Sequence, residues 1–399
     1  MKILLLGREK FPPFRVDSRV LFGEALARRG YTVDWLMQSG TVSRRTRSEP
    51  YGRGTAWIGP YRGGESTFAK MVQSLQATLN SFRTIRLALR NKYDIVLARN
   101  VFVRAIGCIV AARLSGSKFV YWLSYPYPEA WIYETKTRVS ERPWITIIRG
   151  RISDLLLYRV ILPTADFVVV QSEQMKEDIA ARGIAPEKMC PVPMGVADSM
   201  LVGAESLPPK TKEPTVVYVG TLHRVRRLDF LIRVFKRVRK EVPNAILCIV
   251  GGEEAAQIEF LQNEAKKLGV DDCVTFTGVV PQAEATGWMA RATVSVSPFY
   301  PTPILNSTSP TKLVEYMAQG SAVVANDHPE QKQTIEASGA GVCVPYDEEK
   351  FAAAIVALLH DPKRVEEMGK RGRLYVKRCR TYSIIAGKVD KQFRKLLGS

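Results

Sequence analysis

Histidine is scarce in this chain. His223, His328 and His360 are its three histidines among 399 residues, and they stand too far apart in sequence to suggest a histidine-built metal centre. Cysteine is scattered: Cys108, Cys190, Cys248, Cys273, Cys343 and Cys379 form no Cys-x-x-Cys pair. That spacing offers neither a zinc site nor a disulfide framework and fits a reduced, cytosolic protein. No Asp-x-Asp pair is present either, so the simpler chemistry is one without a divalent metal. No apolar run reaches the about eighteen residues needed to span a bilayer. Residues 1–7 are too short for a secretory leader and read as a first strand. Solenoid repeats and low-complexity tracts are missing too. Acidic residues run short, with 39 Asp and Glu against 58 Lys and Arg, for a net charge of +19.

What is there suffices for large cores: 46% of residues are hydrophobic and 9% aromatic, and the length suits two domains or one large α/β unit. The positive charge is uneven. Residues 1–200 hold 30 Lys and Arg against 17 Asp and Glu. A basic first half points to an acidic partner, whether a phosphorylated substrate, anionic lipid or nucleic acid, with a merely soluble basic surface as the plain alternative. No recognisable nucleic-acid module accompanies it.

Strand and helix patterns alternate throughout. The periodicity predicts strands over 2–7, 32–36, 95–98, 119–123 and 167–171, with helices over 18–29, 67–90, 104–114 and 173–182. This is the β-α-β rhythm of a parallel, doubly wound sheet. Residues 200–214 have little pattern and several prolines, and read as a linker. The rhythm then restarts, with strands over 216–219, 246–250, 274–277, 293–297, 322–325 and 342–344 and helices between them. The expected architecture is α/β, with two Rossmann-like doubly wound domains facing a cleft. Residues 1–199 make the first domain, 200–214 the linker and 215–380 the second domain, and a final helix over 381–399 packs back toward the first.

The most informative stretch is 307–324. Ser309 can cap a helix with Pro310 at its first position, and Gly320 can end it. Leu313, Val314, Met317 and Ala318 fall on the core side at 100° per residue, and Thr311, Lys312, Glu315 and Gln319 on the other. The unpaired N–H groups of Thr311 and Lys312 would open toward the cleft with a carboxylate one turn on. That arrangement suits an anion beside a hydroxyl-bearing sugar; an ordinary solvated helix face is the bland alternative.

An ordered series of segments then resembles a known family. Residues 24–33, 165–172 and 193–196 in the first half, and 217–222, 275–278, Ser297-Pro298 and the 310–318 helix in the second, are similar to the group 1 (family 4) retaining glycosyltransferases of the two-domain B-type fold. The resemblance covers nearly the whole chain. It implies that the amides of Thr311, Lys312 and Leu313, together with Ser309, hold a donor diphosphate, and that Glu315 binds ribose hydroxyls. It implies that Arg226, after the Gly220–Thr221 turn, stabilises the leaving phosphate with His223 close by, and that Gly278 and Val279 line the base. Departures are visible: Ser307 stands where the family carries its first motif glutamate, and Thr221 where it carries an arginine. Ser307 and Arg226 are the catalytic candidates.

In the first half, Arg8 and Arg15 follow the first strand and are candidates for an acceptor phosphate, with Tyr125 and Glu129 as further acceptor contacts. Arg44, Arg45, Arg47 and Arg53 near Tyr51 and Trp57 form a basic, aromatic patch. Residues 144–162 read as an interfacial amphipathic helix or as an internal one packed on the sheet. The resemblance implies a glycosyltransferase, acting with retention on a lipid-linked or polysaccharide acceptor at the inner face of the cell membrane. It implies no resident cofactor or metal, only a UDP- or GDP-sugar co-substrate. Its partners would be that nucleotide sugar, the lipid-linked glycan and an anionic membrane surface, not nucleic acid. An epimerase or phosphorylase on the same architecture, or a silent nucleotide-sugar-binding scaffold, are the alternatives.

Overall fold

A computed structural model describes all residues except 65, 138–141, 202–209, 253 and 399. Contacts divide the chain into a first unit of residues 1–193 with 382–399 and a second of residues 194–381. Most of the central part of the expected 200–214 linker, including Pro208 and Pro209, lies outside the described residues.

The first unit is built on an eight-stranded sheet ordered β3-β4-β2-β1-β5-β6-β7-β8. Its strands are β1 (Lys2–Phe11), β2 (Thr32–Ser39), β3 (Arg47–Tyr51), β4 (Gly54–Gly59), β5 (Ile95–Arg99), β6 (Lys118–Leu123), β7 (Phe167–Val170) and β8 (Met189–Pro191). Every neighbouring pair is parallel except β3 with β4. The central strands are near-continuous apolar runs because helices cover both faces. Ile3, Leu4, Ile95, Val96, Leu97, Phe119 and Val120 are all wholly buried.

The β3–β4 hairpin occupies the stretch read in the sequence as a basic patch. Gly52 turns it with φ 60°. β3 is a polar edge strand whose residues are mostly exposed, so no apolar alternation announces it. The helix expected over 67–90 is two, Thr67–Ser81 and Arg83–Asn91, broken at Phe82. Helix Tyr382–Leu397 belongs to this unit. Tyr31 donates to Asp390 at 2.7 Å, Arg29 pairs with the same carboxylate at 3.6 Å, and Phe393 is buried near Tyr31.

The second unit holds an all-parallel sheet ordered β11-β10-β9-β12-β13-β14. Its strands are β9 (Thr215–Val219), β10 (Ile246–Val250), β11 (Val274–Gly278), β12 (Val294–Ser297), β13 (Ala322–Asn326) and β14 (Gly341–Val344). Chain order runs outward in both directions from the β9–β12 neighbours, so the topology switches between them. In such sheets the crevice past the strands' carboxyl ends at that switch is where ligands bind. The first sheet has the same kind of switch between β1 and β5.

Candidate functional site

At the switch of the second sheet, β9 and β12 pair only through Val216–Val294 and Val217–Ser295. Beyond that they part, and the main chain of Val219 would lose its partners on the β12 side. Tyr316 replaces them: its wholly buried hydroxyl accepts from Val219 N–H at 2.8 Å and donates to Val219 C=O at 3.2 Å. Tyr316 therefore acts as a wedge that fixes helix Thr311–Ala318 against the carboxyl end of β9. Replacing it with Phe strands a buried donor and acceptor, and we expect Tyr316→Phe to destabilise the second unit by about 1–3 kcal/mol. Chemical denaturation checks this; an unchanged midpoint would remove the wedge from the account.

The carboxyl ends of β9, β10 and β11 close on one another through glycines. Gly220 N–H donates to Val250 C=O, and Gly251 N–H to Gly278 C=O, each at 2.9 Å. Gly251 has φ 120°, and a Cβ on it would lie 2.1 Å from the Gly220 carbonyl oxygen. Only glycine tolerates that approach. Thr221 and His223 follow in an exposed loop. The Thr221 carbonyl accepts from the buried Tyr218 hydroxyl at 3.1 Å, and Nδ1 of His223 faces Val225 N–H at 3.5 Å. Val279, after Gly278, is 78% exposed.

Arg226 closes this loop. Its guanidinium lies over the Phe299 ring, 4.8 Å from the centroid, and among the described residues no carboxylate pairs with it. Its positive charge is felt by Tyr218, Tyr316 and His328. His328, at the end of β13, is 1% exposed and shares a hydrogen bond with Leu305 C=O through Nε2 at 2.8 Å. Burial first, and the nearby Arg226 in addition, pull its pKa down to about 4, so it is neutral at physiological pH. Its Nδ1 is buried without a hydrogen-bond partner among the described residues. Phe299 and His328 contact edge to face at 5.2 Å. Sequence reading missed both, along with the wedge Tyr316. Phe299 and His328 meet only because β12 and β13 are neighbours, though a His-Pro pair directly after a buried strand was a usable signal.

Helix Thr311–Ala318 differs from expectation at its start. Pro310, with extended ψ of 104°, is itself the cap residue, and no side chain caps the helix. Ser309 is not the cap: its hydroxyl accepts from Met194 N–H at 3.0 Å. The N–H groups of Thr311, Lys312 and Leu313 therefore have no intrahelical acceptor and no side-chain cap, which is the local chemistry of an anion site. The helix face expected to be open is partly covered. Glu315 is 7% exposed, and its Oε2 accepts from Lys312 Nζ at 2.6 Å. Gln319 is 4% exposed because its amide donates to Met200 C=O at 2.9 Å. Ser307 is buried after the short helix Pro303–Asn306, its hydroxyl directed at Pro303 C=O at 3.3 Å.

The remaining candidates belong to the first unit. Arg15 is compensated, paired with Asp17 at 3.2 Å and Glu9 at 3.6 Å. Glu129 is bound by the Tyr158 hydroxyl and by Arg182 at 3.0 Å. Tyr125 packs edge-on against Tyr127, centroids 4.8 Å apart. Arg8 stacks over Tyr127 at 4.4 Å and faces Trp131 at 5.8 Å.

With this geometry in hand, residues 213–361 match the family model described as glycosyl transferases group 1, and residues 21–195 the one described as glycosyl transferase 4-like domain. The chain is 30% identical over 168 residues, 41% of its length, to an uncharacterized glycosyltransferase of Haemophilus influenzae, covering 45% of that protein. It is 32% identical over 163 residues to a GDP-mannose-dependent alpha-(1-6)-phosphatidylinositol monomannoside mannosyltransferase of Mycolicibacterium smegmatis, covering 40% of this chain and 42% of that one. The match thus spans less than half of either relative. Among solved structures, sucrose-phosphate synthase from Thermosynechococcus elongatus shares the fold at TM-score 0.75, with 20% identity over 100% of both chains.

Proposed function

The chain belongs to the group 1 glycosyltransferases, and from that premise we propose that it moves a hexosyl group from a nucleoside diphosphate sugar to a lipid-linked or polysaccharide acceptor. The observation that carries this is Arg226. It is a cation without a carboxylate partner among the described residues, at the end of the loop after β9, where helix Thr311–Ala318 is also fixed by Tyr316. When the bond from the anomeric carbon to the phosphate oxygen breaks, the departing diphosphate gains negative charge. A guanidinium and fixed N–H dipoles stabilise that charge without reorganising. Glu315, buried one turn along the helix, would accept hydrogen bonds from the ribose hydroxyls. UDP and GDP are the proposed carriers, GDP being favoured by the GDP-mannose dependence of the mycolicibacterial relative.

The same reading includes retention of anomeric configuration. The acceptor oxygen attacks from the face the diphosphate leaves, the new C–O bond forms as the old one breaks, and the acceptor proton passes to the departing phosphate oxygen. The Ser307 hydroxyl, directed at Pro303 C=O, does not serve as nucleophile in this scheme. Proton NMR of the first-formed product decides the point: an anomer matching the donor supports retention, and the opposite anomer refutes it. Ser307 in a glutamate's place also supports a second reading, a donor-binding protein without turnover; nucleoside diphosphate release dependent on an acceptor excludes it.

Docking on an anionic membrane completes the proposal. Helix Pro143–Leu156 buries only Gly150 and Ser153. Trp144, Ile148, Ile152 and Leu155 form a helical stripe exposed at 67, 51, 51 and 60%. Arg142, Arg149, Arg151 and Arg159 lie on or beside the same segment. That favours the interfacial reading over the internal one. Helix Val103–Ser115 adds exposed Val103, Ile106, Val110 and Leu114. No helix among the described residues is long and apolar enough to cross a membrane. The protein is expected to float with vesicles containing phosphatidylglycerol at low salt, and Ile148→Glu with Ile152→Glu to abolish flotation. Equal flotation of the double variant would sink the assignment to this helix.

A further inference from the structure

Three arginines of the first unit gather where, among the described residues, no carboxylate forms an ion pair with them. Arg8 lies on β1 just past its last pairing with β5, Arg104 lies in the first turn of helix Val103–Ser115, and Arg149 lies on helix Pro143–Leu156. Trp131 and Tyr127 stand among them, their centroids 5.8 Å apart. Arg149 stacks on Trp131 at 3.9 Å, Arg8 on Tyr127 at 4.4 Å, and Phe102 braces Trp131 at 5.9 Å. Among the described residues none of the three guanidiniums makes an ion pair or hydrogen bond, although Glu134 exerts a weak pull on Arg149. The charge of Arg8 is felt by both Arg104 and Arg149. Burial first and Arg8 in addition lower the pKa of Arg104 to about 10, and the same two causes lower that of Arg149.

Arg104 is half-buried while Arg8 and Arg149 are exposed, and gathering like charges around a half-buried one costs stability unless something anionic completes the group. Arg8 and Arg149 lie over aromatic rings, and a guanidinium held there keeps N–H groups for phosphate oxygens, which it can bind two at a time. Elsewhere in the unit, arginines near the sheet's end are neutralised. Arg15 and Arg99 share Glu9 and Asp17, and Arg182 holds Asp154 and Glu129. The cluster around Trp131 stands apart from these.

We propose that Arg8 and Arg149, set over the Tyr127–Trp131 shelf, form together with Arg104 a binding site for a phosphate or diphosphate group carried by the acceptor. This rests on the reading of the first unit as the acceptor domain, and it specifies the acceptor's chemistry: an anionic phosphoester or diphosphoester, not a neutral glycan end. Arg15, Glu129 and Tyr125 then serve the architecture around the site, while Arg8 contacts the ligand.

The test is calorimetric titration of inorganic pyrophosphate into the full-length protein saturated with UDP or GDP, so that the donor site is filled. The parent is expected to bind one pyrophosphate, and Arg104→Gln and Arg149→Gln each to weaken that binding at least tenfold. Pyrophosphate is expected to raise the parent's Tm and not the variants'. Without the anion, each variant should melt at or above the parent at low salt, because a repulsive charge has been removed; a purely structural arginine would melt lower. No binding by the parent, or equal binding by parent and variants, overturns the proposal. Flotation separates the sources of phosphate. If the variants lose binding to phosphatidylglycerol vesicles while the parent ignores pyrophosphate, the cluster reads lipid headgroups and the acceptor assignment is overturned. If instead no nucleotide binds at all, the glycosyltransferase reading fails, and the pyrophosphate titration without nucleotide still decides the cluster.

Discussion

Arg226→Ala is expected to lower kcat by about 10²–10³-fold, the loss that follows removal of one preorganised group facing charge that develops in the transition state. The variant should fold as the parent does. Arg226 makes no ion pair among the described residues, and its contact with Phe299 lies at the edge of the site. A drop in kcat with Tm unchanged separates a role in stabilising the leaving diphosphate from a role in holding the loop after Gly220. Arg226→Lys should recover a minor part of the rate, because an ammonium keeps the charge but not the planar fork. Turnover at the parent rate in Arg226→Ala would remove the residue from the mechanism.

The second large effect is on stability. At the switch of the first sheet, Arg99 is 5% exposed and pairs with Asp17, 6% exposed, and with Glu9 at 3.1 Å. Ser18 donates to the same Glu9 oxygen at 2.7 Å, and Arg15 adds to Asp17 at 3.2 Å. Replacing Asp17 with Ala leaves a buried guanidinium short of its partner. Removing one member of a buried pair costs about 3–5 kcal/mol, which would lower the first unit's melting temperature by roughly 10 °C.

The pH dependence carries the same sign. Burial alone would raise the Asp17 pKa, but Arg99 and Arg15 outweigh it and hold the carboxyl below its ordinary value. A carboxyl depressed in the folded state contributes stability that is present above its unfolded pKa of about 3.9. That contribution is lost as pH falls through the lower folded value. The gap between parent and Asp17→Asn should therefore be full at neutral pH and close only in strong acid. A gap that widened toward low pH would show that the network does not hold Asp17 as the anion.

The alternation of elements was legible because buried parallel strands are continuous apolar runs. β1, β5, β9, β10 and β13 each announce themselves in that way, and the order of turns after them gave the family resemblance. β3 was not legible because a polar edge strand has no apolar face to show. The break at Phe82 was not legible because both flanking helices carry compatible periodicity. In the site, sequence pointed to the main-chain contributors: the glycine turns after β9 and β11 and the unpaired amides of Thr311 and Lys312. It misjudged the side chains around them. Ser309 looked like a cap, yet Pro310 takes that place. Gln319 looked open, yet Met200 covers it. Tyr316, Phe299 and His328 were missed because their roles depend on which strands are neighbours. The same is true of Arg104 and Trp131, which join Arg8 and Arg149 only through the packing of three helices and the end of β1.

The central claim is that the second unit binds a nucleoside diphosphate at the switch between β9 and β12. Calorimetric titration of UDP and of GDP into the parent and into Glu315→Ala tests it most directly. One site is expected in the parent for at least one of the two nucleotides, with affinity at least tenfold weaker in the folded Glu315→Ala variant. Absence of binding by both nucleotides, or equal affinity in parent and variant, would contradict it.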